Sequence, residues 1–521
     1  MSPTEVKSLS MLFSKIPVEV LSPVPEIEIS GVALDSRQVK PGDLFAAISG
    51  GQTDGHRFIP QAIANGAVAV MGNQDGIACD VPYIQVAGDT KYAMATLAAA
   101  LHDFPARKLI VIGVTGTDGK TTTTMIIHQM LLKAGIKAGM ISTVSAVIGD
   151  EALDTGFHVT TPDAPEIQAY LARMVEAGMT HVVLETTSHG LTQGRVIACD
   201  YDLAVVTNVT HEHLDFHGSY QAYLEAKGLL FRGLAQTPPK PHGNIRTAIL
   251  NKDDRSYEYL KRVSPPDQVT YSMINEADAW AEEVSNTPEM LTYHCHINGQ
   301  TAQVRTPLIG IYNVSNSLAA LSACVLRLGV PLEAALRALA EMPGVPGRME
   351  RINLGQDFTA IVDFAHTPNG LLRALETARE LTTGKVIAVF GSAGLRDREK
   401  RRMMPQVSIE NADLAILTAE DPRTESLDAI LRDMAEAAEA KGGMEGETFW
   451  RIPDRADAIR FAVQLAEPGD LVIACGKGHE QSMCFGSTEY PWDDRIAMRA
   501  ALAELLNLQG PEMPFLPTQN R

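Results

Sequence analysis

The sequence contains little cysteine, and this limits the kinds of site it can build. Only 6 of its 521 residues are cysteine, and no two of them have the C-x-x-C spacing of many metal and redox sites. Most stand in apolar runs, as small core residues do. We therefore expect neither a disulfide framework nor a cysteine-based zinc site.

Positive charge is also scarce. The 44 lysine and arginine residues are outnumbered by 63 aspartate and glutamate residues, which gives a net charge of −19. This balance argues against broad binding to nucleic acid or to an anionic membrane, while leaving room for a local basic site. No stretch approaches the roughly 18 apolar residues of a membrane span, and residues 1–20 lack a secretory signal pattern. We expect a cytoplasmic protein with no nucleic-acid or membrane partner.

The order of apolar runs predicts an α/β fold. Short β-rich runs alternate with helical patterns along most of the chain, as in domains with mainly parallel sheets. The length corresponds to about three domains. Pro105 with the basic pair Arg107-Lys108, and the proline- and glycine-rich stretch at 343–347, predict domains at residues 1–105, 106–345 and 346–521. In the last of these, polar residues follow each apolar strand, at the edge where open α/β sheets bind ligands.

The stretch LIVIGVTGTDGKTTTT, residues 109–124, predicts a phosphate-binding loop. An apolar strand ends in a glycine-rich turn, and a helical pattern begins near Lys120. Glycines let backbone N–H groups surround a phosphate, Lys120 can reach the outer phosphates, and the Thr121 hydroxyl can hold Mg²⁺. Val114 stands where the common G-x-x-x-x-G-K-[ST] pattern has its first glycine. An ordinary strand-to-helix turn is therefore the alternative.

Two further groups of polar residues follow apolar strands. Glu185 and His189 form the first, and the second contains His211, His213 and His217. Mg²⁺ prefers oxygen ligands, so these residues suit it only in company with phosphate and water. The three histidines alone would suggest zinc, but their i, i+2, i+6 spacing on a loop is poor ligand geometry. Solvent-exposed loop histidines are the other alternative.

A series of short motifs runs along nearly the whole chain. They are DSR (35–37), GTDGKTT (116–122), TTPDA (160–164), ETTSHGLTQGRV (185–196), HLDFHGSYQAYLEAK (213–227), GIYNVSN (310–316), GRMER (347–351), VDFAHTPNGL (362–371), GSAGLRDREKR (391–401), EDPRTE (420–425) and GKGHE (476–480). In sequence and in order they resemble the motifs of the Mur ligase family. The phosphate loop has the GTxGKT form that this family uses.

The resemblance implies three domains and one reaction. The N-terminal α/β domain would bind a UDP-N-acetylmuramoyl dipeptide, the central P-loop ATPase would have a mainly parallel sheet, and the C-terminal domain would be Rossmann-like. ATP would phosphorylate the terminal carboxylate of the peptide, and the amine of a free diamino acid would attack the acyl phosphate. Positioned cations should supply much of the catalysis, because charge accumulates on the phosphates. The protein would act as a monomer in peptidoglycan precursor synthesis.

The resemblance also assigns residues to ATP and Mg²⁺. The implied ATP-binding residues are Gly116, Thr117, Asp118, Gly119, Lys120, Thr121, Thr122, Asn313, Arg348, Asp363 and His366. The implied metal-binding residues are Thr121, Glu185, His213 and Lys227, and the implied catalytic residues are Lys120, Glu185, His213 and Lys227. Lys227 would be carbamylated by CO₂, because an ammonium would be repelled by the metal whereas a carbamate supports it. The alternatives are a surface lysine on an amphipathic helix for Lys227 and a helix cap for Asn313.

Two further sets of residues would bind the other substrates. The implied contacts to the UDP-peptide are Ser36, Gly51, Gln52, Thr53, Thr160, Thr161, Thr187, Gln193 and Arg195. The implied contacts to the amino acid are Arg396, Glu420, Asp421, Pro422, Arg423, Gly476 and Glu480. Arginine suits pyrophosphate and carboxylate because its planar fork donates two hydrogen bonds at once.

The identity of the added amino acid stays open between three diamino acids. Family members that take meso-diaminopimelate typically have D-N-P-R where this chain has Glu420 to Arg423. Arg423 keeps a partner for the distal carboxylate of diaminopimelate, whereas the added acidity favours the second amine of lysine or ornithine. Leu395 also replaces an acidic residue beside Arg396. The retained arginine favours diaminopimelate.

Two other functions fit the same phosphate loop. A folylpolyglutamate synthase-like ligase would share the ATPase architecture, but the N-terminal DSR and the C-terminal GKGHE belong to the muropeptide branch. A regulator that binds nucleotide without ligation would not need Lys120, Glu185, His213 and Lys227 to be intact. We therefore expect a ligase.

Overall fold

A computed structural model describes residues 6–50, 53–153, 160–210, 217–396 and 398–518. The chain divides into two compact units, one formed by residues 1–280, 296–300 and 315–338 and the other by residues 281–295, 301–314 and 339–521. The predicted site residues Gly51, Gln52 and His213 lie outside the described ranges. Within those ranges, no helix has the length and apolar character needed to cross a bilayer.

The N-terminal part of the first unit is built on a small parallel sheet. Its strands pair in the order β3, β4, β5 and β6, and a separate pair joins β1 to β2. The bounds are β1 (Lys7–Ser8), β2 (Glu28–Ile29), β3 (Gly31–Ala33), β4 (Asp43–Ala46), β5 (Ala69–Gly72), β6 (Tyr83–Gln85), α1 (Leu9–Ser14), α2 (Ile59–Ala64) and α3 (Thr90–Leu101). Asp89 caps α3 through the backbone N–H of Lys91. Short strands alternate with helices here, as the pattern of apolar runs predicted.

The central sheet has eleven strands. They are β7 (Ile110–Thr115), β8 (Ala138–Ile141), β9 (Ala146–Ile148), β10 (Glu151–Leu153), β11 (His181–Glu185), β12 (Leu203–Val206), β13 (Thr247–Asn251), β14 (Gln268–Ser272), β15 (Ala279–Asn286), β16 (Leu291–Ile297) and β17 (Gln300–Thr306). Their order is β10-β9-β8-β11-β7-β12-β13-β14-β15-β16-β17. In this spatial order, neighbouring strands pair parallel from β8 through β11, β7, β12, β13 and β14 to β15. Strand β9 pairs antiparallel with both β8 and β10. The strand β7, which precedes the phosphate loop, is therefore flanked on both sides and deeply buried.

The helices that follow these strands carry most of the central motifs. They are α4 (Lys120–Lys133), α5 (Ala164–Glu176), α6 (Ser188–Thr192), α7 (Tyr220–Leu234), α8 (Tyr257–Val263), α9 (Tyr312–Leu326) and α10 (Leu332–Ala340). Ser219 caps α7 and Thr187 caps α6, each with its hydroxyl accepting a backbone N–H. These caps fix where α6 and α7 begin.

The C-terminal sheet has the order β18-β19-β23-β20-β21-β22, and only β18 pairs antiparallel. The bounds are β18 (Glu350–Ile352), β19 (Thr359–Asp363), β20 (Val386–Phe390), β21 (Leu414–Leu417), β22 (Phe449–Arg451), β23 (Leu471–Cys475), β24 (Ser482–Phe485), β25 (Thr488–Pro491), α11 (Pro368–Leu381), α12 (Arg398–Asn411), α13 (Leu427–Glu439), α14 (Arg455–Leu465) and α15 (Asp494–Leu506). Polar residues follow the apolar strands β19, β20, β21 and β23, as predicted. Their carboxyl ends carry the VDFAHTP, EDPR and GKGHE motifs.

Two local expectations differ from the structure. The polar segment 236–300 contains four strands and a helix, and in β16 the buried side chains alternate with half-buried ones. Asn313 and Asn316 were expected to flank a helix start, but α9 begins at Tyr312, so both lie inside its first turns. The Asn313 amide donates to the carbonyl of Ile309, one turn earlier, at 2.7 Å.

Candidate active site

The phosphate loop connects the central strand β7 to the start of α4. Gly119 adopts φ +80°, and a Cβ there would lie 2.2 Å from Oδ1 of Asn316, so only glycine fits. The backbone N–H of Thr117 donates to the carbonyl of Asn208 at 2.7 Å. Nζ of Lys120 donates to the carbonyl of Thr117 at 2.7 Å. The loop is therefore held by the segment after β12, with the Lys120 ammonium beside it.

Glu185 and Thr121 form a pair of oxygen donors next to this loop. Glu185 ends β11 and is 1% exposed. Its Oε1 accepts a hydrogen bond from the Thr121 hydroxyl at 3.1 Å, and its Oε2 accepts from the backbone N–H of Thr143 at 3.0 Å. Carboxylate and hydroxyl oxygens suit Mg²⁺, so the two residues fit the predicted metal. Among the described residues, no three His, Cys, Asp or Glu side chains are grouped as a metal site.

Lys227 is buried against the loop. It lies in α7 and is 1% exposed. Its Nζ donates to the carbonyl of Gly116 at 2.6 Å and lies 4.4 Å from the centroid of the Tyr223 ring. The alternative of a surface lysine is therefore wrong.

A cavity of about 270 Å³ joins the loop to three other motifs. Its lining includes eight predicted residues: Gly116, Lys120, Thr160, Thr161, Thr187, Gln193, Arg195 and Lys227. The guanidinium of Arg195 donates to the carbonyl of Thr161 at 2.8 Å, and the Thr161 and Thr187 hydroxyls are 3.0 Å apart. Residues predicted separately for ATP and for the UDP-peptide thus share one cavity.

Three other residues line the cavity, and the sequence singled out one of them, His189, as a possible Mg²⁺ ligand. They are Ser188, His189 and Tyr223. Nε2 of His217 lies 3.1 Å from the Ser188 hydroxyl, and the His217 ring contacts the rings of His189 and Tyr223. All of them lie inside the recognised motifs, and this position was the one sequence signal that they belong to the site. His217 therefore packs against the cavity wall.

Ser36 and Thr53 do not line this cavity. Ser36 is buried and its hydroxyl donates to the side chain of Gln61 at 2.9 Å, whereas Thr53 is exposed. Directly after Thr53, the Asp54 carboxylate lies 2.7 Å from Nδ1 of His56. Hydrogen bonds from His56 lower the pKa of Asp54 to about 2. This pair fixes the turn that follows the predicted UDP-binding residues.

In the second unit, two predicted nucleotide-binding residues contact one aromatic ring. The guanidinium carbon of Arg348 lies 4.4 Å from the centroid of the Phe364 ring, and the ring of His366 lies 4.5 Å from it. Asp363, which ends β19, accepts two backbone N–H bonds, and burial raises its pKa. His479 also packs on Phe364, and burial lowers the pKa of its imidazole to about 3. Sequence reasoning missed this neutral histidine.

The predicted amino-acid-binding residues lie on neighbouring loops of the same unit. The N–H of Gly394 donates to the carbonyl of Asp421 at 3.0 Å, which places the loop carrying exposed Arg396 beside the EDPR turn. Gly476 adopts φ +114°, and a Cβ there would meet the Glu420 carboxylate at 2.4 Å. The GSAGLRD, EDPR and GKGHE strings are thus brought together.

A buried ion pair holds the backbone at the start of two of these loops. The guanidinium of Arg455 donates to both carboxylate oxygens of Asp494, at 2.7 and 2.6 Å, and to the carbonyls of Ala419 and Cys475. Neither charged side chain is exposed. Ala419 and Cys475 immediately precede Glu420 and Gly476, so the pair fixes the backbone at the start of both loops.

Glu420 gives the protein a specific pH dependence. Burial raises the pKa of this carboxyl from 4.5 to about 7, although Arg455 and Lys477 oppose the shift. The folded protein then binds more protons than the unfolded chain between these pH values, so its free energy of unfolding falls as pH rises from about 4.5 to about 7. Urea unfolding of the wild type and Glu420→Gln across this range should show a more negative dependence of the unfolding free energy on pH in the wild type, because the other titrating groups, such as His479, are common to both. The expected size is at most roughly 3 kcal/mol, and identical slopes would contradict the assignment.

Comparisons with known proteins match the whole arrangement. Three family models align in order: "Mur ligase family, catalytic domain" at residues 28–108, "Mur ligase middle domain" at 114–324 and "Mur ligase, glutamate ligase domain" at 347–478. The "UDP-N-acetylmuramyl-tripeptide synthetase" of Roseiflexus sp. (strain RS-1) is 45% identical over 92% of this chain and 95% of that protein.

Two further relatives carry a more specific name. The "UDP-N-acetylmuramoyl-L-alanyl-D-glutamate--2,6-diaminopimelate ligase" of Geobacillus thermodenitrificans (strain NG80-2) is 41% identical over 95% of this chain and 99% of that protein. A solved structure of a ligase with this name is 31% identical, covers 96% of this chain and 100% of that chain, and superposes with a TM-score of 0.67. The chain therefore belongs to the Mur ligase family.

Proposed function

We propose that this chain is an ATP-dependent ligase that adds meso-diaminopimelate to UDP-N-acetylmuramoyl-L-alanyl-D-glutamate. The observation that carries the proposal is the cavity in which the phosphate loop, Thr161 and Arg195 meet. A nucleotide site and a second anionic-substrate site must adjoin if one phosphoryl group is to pass between them. The names and the near-complete coverage of the relatives support the same activity.

The proposed chemistry converts a carboxylate into an electrophile. The carboxylate of the peptide attacks the outer phosphate of ATP, which gives an acyl phosphate and ADP. The amine of the incoming amino acid then attacks the acyl carbon, and phosphate leaves as the amide forms. Lys120 would stabilise negative charge on the transferred phosphate. Thr121 and Glu185 would hold Mg²⁺, which neutralises phosphate charge when bound.

The other proposed contacts are assigned by whether a residue lines the cavity or lies on the loops of the second unit. Thr160, Thr161, Thr187, Gln193 and Arg195 would bind the UDP-peptide, with the Arg195 fork suited to its anionic groups. Lys227 would be carbamylated and would support the metal site. In the second unit, Asp363 would contribute to nucleotide binding.

The three matched segments also support the domain division at residues 1–105, 106–345 and 346–521. Each segment falls almost entirely within one proposed domain. The N-terminal domain would bind the UDP-linked substrate, the central one ATP and the C-terminal one the amino acid.

A panel of amino acids tests the proposed activity. Purified protein is given ATP, Mg²⁺ and the UDP-muramoyl dipeptide, and phosphate release is measured with meso-diaminopimelate, L-lysine or L-ornithine. We expect release to require both substrates and kcat/KM to be at least about tenfold higher for diaminopimelate, because the Arg423 guanidinium can pair with the distal carboxylate.

The outcomes of this panel separate the rival functions. A strong preference for lysine or ornithine would overturn the assigned amino acid but keep the ligase. Release that depends on a folate and glutamate would indicate the folylpolyglutamate synthase-like alternative. ATP hydrolysis that depends on neither the UDP-muramoyl dipeptide nor the amino acid would indicate a regulator.

A further inference from the structure

The EDPR turn has a strained backbone. Asp421 adopts φ +41° and Arg423 adopts φ +53°, and both values lie in the left-handed region. This region is unfavourable for residues that carry a Cβ, so it persists where surrounding contacts enforce it. The turn that carries Glu420 and Arg423 therefore depends on what holds Asp421.

The side chain of Lys477 is the main charged contact of this turn. Its Nζ donates to both carboxylate oxygens of Asp421, at 3.0 and 3.1 Å. Backbone bonds complete the arrangement, because the N–H of Cys484 donates to the same carboxylate and the N–H of Arg423 donates to the Cys484 carbonyl. Lys477 is only 2% exposed, so solvent screens this contact weakly.

Lys477 has a second anionic partner on its own loop. Its Nζ lies 2.6 Å from the Glu480 carboxylate. One ammonium therefore ties the EDPR turn to the GKGHE loop. It also compensates one of the two negative charges that these carboxylates place near Arg423.

We propose that Lys477 is a positioning residue that fixes the EDPR turn and sets the preference of the amino-acid site for a distal carboxylate. This inference rests on the proposed ligase function. With Lys477 in place, one of the two negative charges of Asp421 and Glu480 is compensated, and the Arg423 guanidinium can attract the distal carboxylate of diaminopimelate. Without it, the two carboxylates compete for that guanidinium and attract the second amine of lysine or ornithine.

The test compares Lys477→Met with Lys477→Arg in the full-length protein. For Lys477→Met we expect the KM for diaminopimelate to rise about tenfold or more, the change expected for one lost charge-assisted hydrogen bond. The ratio of kcat/KM for diaminopimelate to that for lysine should fall about tenfold, while the KM for ATP changes less than about twofold. Lys477→Arg should restore most of both values, since it keeps the charge.

The control is Lys385→Met, which removes an exposed ion pair with Glu467 in the same unit and should change neither value. If Lys477→Met does not fold, Lys477→Gln removes the same positive charge while keeping a hydrogen-bond donor, and it should lower the same ratio. An unchanged ratio in a folded variant would overturn the inference, as would a parallel rise in the KM for ATP. A wild type that ligates no amino acid would instead refute the proposed function.

Discussion

Lys120→Met should lower the rate of ligation about 10³-fold. The Lys120 ammonium lies beside the phosphate loop and lines the cavity that Arg195 shares. Because charge develops on the transferred phosphoryl group, the loss of a positioned cation raises the barrier by about 4 kcal/mol. The measurement is the rate of ADP formation in a single turnover, with the UDP-muramoyl dipeptide and the amino acid saturating.

Lys133→Met is the matched control for this variant. Lys133 ends the same helix, α4, and is exposed. It should retain wild-type activity, and thermal unfolding should show that both variants are folded. A Lys120→Met enzyme within about tenfold of the wild type would remove Lys120 from the catalytic group.

Lys227→Ala should lower activity about 100-fold, and short carboxylates such as formate or acetate should restore part of it. The reason is that the missing group is proposed to be an anion, the carbamate, which an added carboxylate can replace near the metal. Depletion of bicarbonate should lower wild-type activity and should not lower the activity of the variant further. The measurement is phosphate release at matched pH, with and without added carboxylate.

Lys227→Arg separates the carbamate from the ammonium seen bonded to Gly116. Arginine keeps a positive charge but does not form a stable carbamate at this position. We expect it to be as inactive as Lys227→Ala if the carbamate is required. Full activity in Lys227→Ala, or in Lys227→Arg, would show that the assignment is wrong.

The parts of the fold that the sequence predicted are those with a strong local pattern. The apolar strand before the phosphate loop and the strands β20 and β23 are buried on both faces, so each is an unbroken apolar run. The strands β15 and β16 were missed because they are half exposed and rich in polar residues. In β16 the sequence LTYHCHI nevertheless alternates apolar and polar residues over seven positions, so a strand signal was present in this segment.

From the sequence, the residues of the candidate site could be predicted only where they match a family motif that assigns them a role. Eight predicted residues share one cavity, yet Tyr223 was not foreseen, because its place depends on how α7 packs on the phosphate loop. The role of Lys477 was missed for a similar reason. Its partner Asp421 is distant in sequence, and the contact exists only after β21 and β23 have joined one sheet.

The Arg455–Asp494 pair limits the mutational paths open to this part of the chain. Loss of either partner alone leaves a buried charge without its counterion, at a cost of about 3–5 kcal/mol. Replacement of both by apolar residues can be nearly neutral, but every single-step route passes through the unpaired state. A population of sequences would therefore retain the pair even while the exposed surface around it diverges.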